Sequence, residues 1–144
     1  MSTASNWLVW ALLSAVFAAL TTVFAKLGLA GIDSDFATLI RTAVILMLLA
    51  ALVMATGKWS NPLLLPPRAL GFLLLSALAT GASWVCYFRA LQAGNASLVA
   101  AVDKGSLLLV AIFAVSFLGE RPSLREWSGI ALVGAGILII GLRR

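Results

Sequence analysis

Of the 144 residues, 62% are hydrophobic and only 10% are charged, and the mean hydropathy is +1.10. A soluble domain of this size is about 45–50% apolar and about 25% charged, because a small fold has a large surface to cover with polar groups. A soluble globule is therefore excluded, and so is a disordered chain, which needs the opposite composition.

The net charge of +5 comes from ten Lys/Arg against five Asp/Glu. There is no basic cluster and no exposed aromatic platform, so nucleic acid is not an expected partner; cations that flank membrane helices account for the excess. The chain has no His, and its single cysteine, Cys86, sits in an apolar run. That excludes a His/Cys metal site within one chain and an intrachain disulfide, and no metal or cofactor is expected. Transmembrane β-strands alternate apolar and polar residues over about 10 positions, whereas the apolar runs here are continuous and much longer.

The expectation is an all-α polytopic membrane protein of five transmembrane helices, each about 20 residues long. They form a single transmembrane domain over 1–144, with no room for a separate enzyme module. The segment Met1 to Asn6 holds no Lys or Arg. The apolar stretch after it is longer than the roughly 7–15-residue core of a signal peptide, so it reads as a retained first span over 7–30. A short turn at Gly31, Asp33 and Ser34 leads to the second span, 35–56, with Arg41 inside it. The next segment carries Lys58, Trp59, Pro62, Pro66 and Pro67, and adjacent prolines stop a helix there. The third span, 69–91, ends near Arg89, and the turn Gln92, Gly94, Asn95 opens the fourth, 96–118, with Asp103 and Lys104. Gly119 to Pro122 break the chain. Ser123 then reads as an N-cap, with Glu126 completing a capping box for the fifth span, 124–142.

Five spans place the termini on opposite sides of the membrane. Lys58, Arg68, Arg121 and Arg125 lie on the N-terminal side, against Arg143 and Arg144 on the other, where Lys26 and Arg89 also come within snorkelling reach. The count leans toward a cytoplasmic N-terminus and leaves dual topology open.

Ionisable residues inside a span are costly and are functional candidates by default. With alternating span direction, Lys26, Arg41, Arg89, Asp103 and Lys104 all fall in the membrane half nearer the C-terminus. Lys26 and Arg89 read either as interfacial anchors or as ligand groups. Asp103 and Lys104 lie ~10–13 Å into their helix, too deep for the short Asp side chain to reach water. They read either as a structural pair or as a substrate or ion site, with Ser106 close by. Trp84, Tyr87 and Phe88 share the half of span 3 that holds Arg89. They form either an aromatic wall for an organic solute or part of the interfacial belt. In the fifth span Ala131, Gly134 and Ala135 make a stripe of small residues, the best candidate for a dimer seam. No nucleophile–base pair or phosphate loop is present, so an enzyme is not expected.

The run Leu118-Gly119-Glu120-Arg121-Pro122-Ser123, then Glu126-Trp127-Ser128-Gly129-Ile130-Ala131-Leu132 and Gly134-Ala135-Gly136, resembles the end of an EamA-like domain of the drug/metabolite transporter superfamily. Ala90-Leu91-Gln92-Ala93-Gly94-Asn95-Ala96-Ser97-Leu98-Val99-Ala100 resembles that domain's link between its third and fourth helices. Val102-Asp103-Lys104-Gly105-Ser106 resembles the short five-helix bacterial and archaeal branch. The resemblance covers essentially the whole chain. It implies one half of a ten-helix inverted-repeat transporter, in a bacterial or archaeal cytoplasmic (inner) membrane. Sites in such transporters lie between repeats, so a second copy is implied: a homodimer, with an antiparallel arrangement allowed by the balanced charges. The related small multidrug transporters use a Glu in their first helix; no acidic residue lies in span 1 here, so that route is not expected.

The expected function is secondary transport or export of a small organic metabolite by alternating access, with membrane lipid and an anionic or zwitterionic solute as partners. Arg41 and Lys104 would attract the solute, Asp103 would bind an amine or carry a proton, and Trp84 and Tyr87 would line the path. The alternative is a non-transporting membrane subunit that handles lipid or stabilises a partner.

Overall fold

A computed structural model describes residues 6–142 of the chain; Arg143, Arg144 and the first five residues, used above in the charge count, lie outside the described residues. Every regular element among the described residues is helical. Five segments are long and apolar enough to cross a membrane: Trp7–Gly28, Ser34–Ala55, Pro67–Ala93, Ala96–Leu118 and Leu124–Gly141.

Helix α1 (Asn6–Gly28) stops at Gly28, slightly short of the expected end. The reversal after it uses Gly31 at φ +76°, a conformation that a side chain would strain. Asp33 then caps α2 (Ser34–Ala55), its carboxylate accepting from the backbone N–H groups of Asp35 and Phe36. A short 3₁₀ turn at Pro62–Leu64 precedes α3 (Pro67–Ala93), which begins on a proline. That position suits it, because the first helical residue needs no N–H partner and the proline φ is already helical.

The fourth span differs from expectation. It is not one continuous α-helix but α4 (Ala96–Asp103), α5 (Ser106–Phe113) and a π-helical turn at Ala114–Leu118. At the junction the backbone tightens. Lys104, Gly105, Leu107 and Leu108 donate to carbonyls three residues back, at 2.8 to 3.2 Å. Mid-helix tightening of this kind, and π-turns, often mark functional positions in helices. Gly119 ends the span at φ +69°. Helix α6 (Leu124–Gly141) starts with the expected capping box: Ser123 Oγ accepts from the Glu126 N–H, and the Glu126 carboxylate accepts from the Ser123 N–H at 2.6 Å.

The described residues divide into two compact units, one running to Ala93 and the other from Gly94 onward. In the first, α3 packs against both α1 and α2 around buried Phe88, Leu91 and Thr38. In the second, α6 packs against α4 and α5, with Ala111 and Ala114 buried. Most large apolar side chains point outward, for example Phe17, Leu46, Leu78 and Leu132. In water that would be ruinous; in a bilayer it is the ordinary outer face, because lipid is the solvent.

Candidate functional site

The first unit gathers the polar groups of three spans along two helix faces. Thr22 and Lys26 lie one turn apart on α1, and they meet Tyr87 and Leu91, one turn apart on α3. The Thr22 and Tyr87 hydroxyls share a 2.7 Å hydrogen bond, and Lys26 Nζ donates to the Leu91 carbonyl. Both sets ascend together, so α1 and α3 run in the same direction. On the other side Asp35 meets Arg89, while Arg41, further along α2, meets Trp84, further back on α3. That order is antiparallel, as alternating spans require.

The Asp35–Arg89 pair is two-pronged: Arg89 donates from Nε to one carboxylate oxygen at 3.0 Å and from Nη2 to the other at 2.6 Å. Nearby, the Gln92 amide donates to the Ile32 carbonyl at 3.0 Å. The end of α3 is thus tied to the first turn of α2 by Arg89 and to the α1–α2 turn by Gln92. Sequence reasoning missed Asp35, reading it only as the first residue of a span. The available signal was one acid at the start of span 2 and one base at the end of span 3, which alternating direction places at one level.

Arg41 is held differently. Its guanidinium carbon stands 4.5 Å from the Trp84 ring centroid and 5.4 Å from that of Phe88. A cation over an aromatic face gains up to about 2 kcal/mol when desolvated. Tyr87 stands edge-on to Phe88, with ring centroids 6.5 Å apart. Beside Arg41 lies a cavity of about 400 Å³, lined among others by Phe24, Ile32, Ile40, Arg41 and Phe88. Every residue of this arrangement belongs to the first unit.

The second unit holds Asp103, Lys104 and Ser106 at the α4–α5 junction, where all three are exposed. Neither Asp103 nor Lys104 makes an ion pair or side-chain hydrogen bond with another described residue. The structure thus joins Arg41 to Trp84, Arg89 to Asp35, Tyr87 to Thr22 and Lys26 to Leu91, and does not join Asp103 to Lys104.

Of the small-residue stripe, Gly134 is buried against Leu108 of α5. A Cβ there would stand 3.0 Å from the nearer Leu108 methyl carbon, so this position serves a contact within the chain. Of the three residues expected at a dimer seam, Gly134 thus faces Leu108 of the same chain, while Ala131 and Ala135 lie exposed on α6. Thr42 and Thr80 return their hydroxyls to carbonyls one turn back, at 2.7 and 2.8 Å. That satisfies their hydroxyl donors locally.

Comparison with known proteins agrees with this architecture. The model of the EamA-like transporter family matches residues 5–142. An uncharacterized transporter in cobO 3'region, from Sinorhizobium sp, is 58% identical over 137 residues, which cover 95% of this chain and 97% of the relative. The uncharacterized transporter YwfM of Bacillus subtilis (strain 168) is 28% identical over 102 residues. That match covers 69% of this chain but only 34% of YwfM, so the chain spans about a third of that longer relative. No solved structure matches the chain. With a family model that spans nearly its whole length and five helices able to cross a bilayer, this multi-pass membrane protein belongs to the EamA-like transporter family.

Proposed function

We propose that the protein is a secondary transporter of small organic metabolites that works as a homodimer by alternating access. The observation that carries this reading is the cavity of about 400 Å³ between membrane helices, with the Arg41 cation on its wall. Pockets for small molecules are of this size: mostly apolar, with few polar groups to fix orientation. A charge kept inside a span points to a transport path, because it is costly to retain there otherwise.

In this reading Arg41 attracts the solute, with Trp84 beside it and Tyr87 holding α1 to α3. Arg89 and Lys26 tether the helix ends around the cavity. Asp103 and Lys104 form the coupling site, with Ser106 next to them and Asp103 as the proton carrier. Charges exposed on a membrane helix need a polar surrounding, and a second copy of the chain would supply it. The exposed Ala131 and Ala135 allow close backbone approach along α6. One five-helix copy supplies one wall of a pathway that forms between repeats, and an inverted copy would supply the other.

The test is uptake into proteoliposomes across a panel of solutes under proton and sodium gradients. Accumulation is expected, and replacement of Arg41 by alanine abolishes it. If no solute moves under any gradient, the reading is wrong and a non-transporting membrane subunit takes its place. Reporters fused to both termini report the pairing: dual signals mark an antiparallel dimer and a single orientation marks a parallel one.

A further inference from the structure

We propose that the cavity beside Arg41 binds a monocarboxylate with an apolar, preferably aromatic, body and no ammonium group. The proposal names the ligand class for the site of the transport reading, and it rests on that reading for the carriage of the bound acid across the membrane.

Arg41 is a cation in a membrane span without an anion. It makes no ion pair or hydrogen bond with another described residue. Both carboxylates of this unit's described residues are engaged elsewhere: Asp35 gives both oxygens to Arg89, and Asp33 caps α2 through the N–H groups of Asp35 and Phe36. The missing partner of Arg41 is therefore an anion from outside this helix group.

The aromatic contacts choose the shape of that anion. Trp84 and Phe88 meet the guanidinium within 4.5 and 5.4 Å of their ring centroids. Because Arg41 makes no hydrogen bond with another described residue, its guanidinium N–H donors remain for a ligand. A planar carboxylate takes two of them in a parallel fork. Phe24, Ile32, Ile40 and Phe88 offer the rest of the ligand an apolar wall. No lining residue is acidic. An ammonium group there would stand beside the Arg41 cation with no opposite charge among the lining residues, which is unfavourable. An amino acid is thereby rejected in favour of the same carboxylate without its amine. The acid can come from the aqueous phase or, as a fatty acid, from the bilayer; the shared chemistry is a carboxylate on an apolar body.

The test uses the full chain in nanodiscs of zwitterionic lipid, with labelled phenylacetate and, in a parallel series, labelled palmitate as probes. Unlabelled phenylacetate, phenylalanine, phenethylamine and palmitate compete. Phenylacetate is expected to bind about tenfold or more tightly than phenylalanine, and phenethylamine is expected not to compete. In R41Q, affinity falls about tenfold or more, the size of a lost charged hydrogen bond, while R41K falls between because it keeps the charge and loses the fork. The competition series on the unaltered protein needs no variant to fold. Binding of phenylalanine as tight as phenylacetate, or competition by phenethylamine, overturns the proposal. Arg41-dependent binding of palmitate without phenylacetate supports the carboxylate site and makes the bilayer its source. If phenylacetate binds and nothing is carried, the site stands and the transport reading falls. If solutes are carried and neither acid binds, the transport reading stands and this inference falls.

Discussion

Arg89 of α3 grips Asp35 of α2 through both carboxylate oxygens, across 54 positions of sequence. Two-pronged geometry fixes orientation as well as distance, so this pair sets how the two helix ends face each other. Asp35→Asn and Arg89→Gln should each lower the melting temperature of the purified protein by a few degrees. The exchange Asp35→Arg with Arg89→Asp should recover most of the loss. An exchange that recovers nothing would show that the pair does not hold the helices.

The Thr22–Tyr87 hydrogen bond joins α1 to α3 at 2.7 Å. Interhelical hydrogen bonds in membrane bundles average about 0.6 kcal/mol. Tyr87→Phe and Thr22→Val should each cost about that much in reversible unfolding from detergent micelles. The double variant should cost little more than either alone, because both remove the same bond. Full additivity of the two costs would contradict the contact.

Gly134 sits where a Cβ would come within 3.0 Å of a Leu108 methyl carbon. Because a side-chain end can shift, Gly134→Ala should be mild. Gly134→Leu should cost about 1–3 kcal/mol by overpacking, and adding Leu108→Ala should return part of it. Gly129 has open space in the direction of a Cβ, and there alanine should stabilise by up to about 1 kcal/mol through helix propensity. Thermal unfolding of the set checks the order.

Gly105 is constrained by backbone rather than by a side chain. Its Cβ would lie 3.0 Å from the Val102 carbonyl oxygen, in the tightened stretch between α4 and α5. A carbonyl in the helix cannot swing away as a leucine methyl can. Gly105→Ala should therefore lower the melting temperature more than Gly134→Ala does, and it should slow uptake in proteoliposomes. Equal melting temperatures for the two variants would count against the constraint.

The broad architecture is legible in the sequence because it depends on solvent. Long apolar runs have nowhere to go but a bilayer, and Pro66–Pro67 and Gly119–Pro122 punctuate them by local chemistry alone. The capping box at Ser123 and Glu126 is equally legible, since its partners lie within one turn. The interruption after Asp103 is not, because a single glycine within a span is compatible with a continuous helix. The role of Asp35 is hidden because it depends on a residue in another span. Arg41 stands out as costly, but spacing does not say which aromatic rings hold it.

What the sequence by itself determined is the solvent, the class of fold, the order of the spans and the scarcity of charge. All of these come from composition and from contacts a few residues apart. Only the tertiary structure decided how the rare polar and small residues are used: Asp35 on Arg89, Lys26 on the Leu91 carbonyl, Gly134 on Leu108, and Arg41 on two aromatic rings. The reason is that apolar helices in lipid have no strong preference for one rotation about their axes. The rare polar and small side chains choose that rotation together, and a choice made jointly across helices has no signature in any one of them.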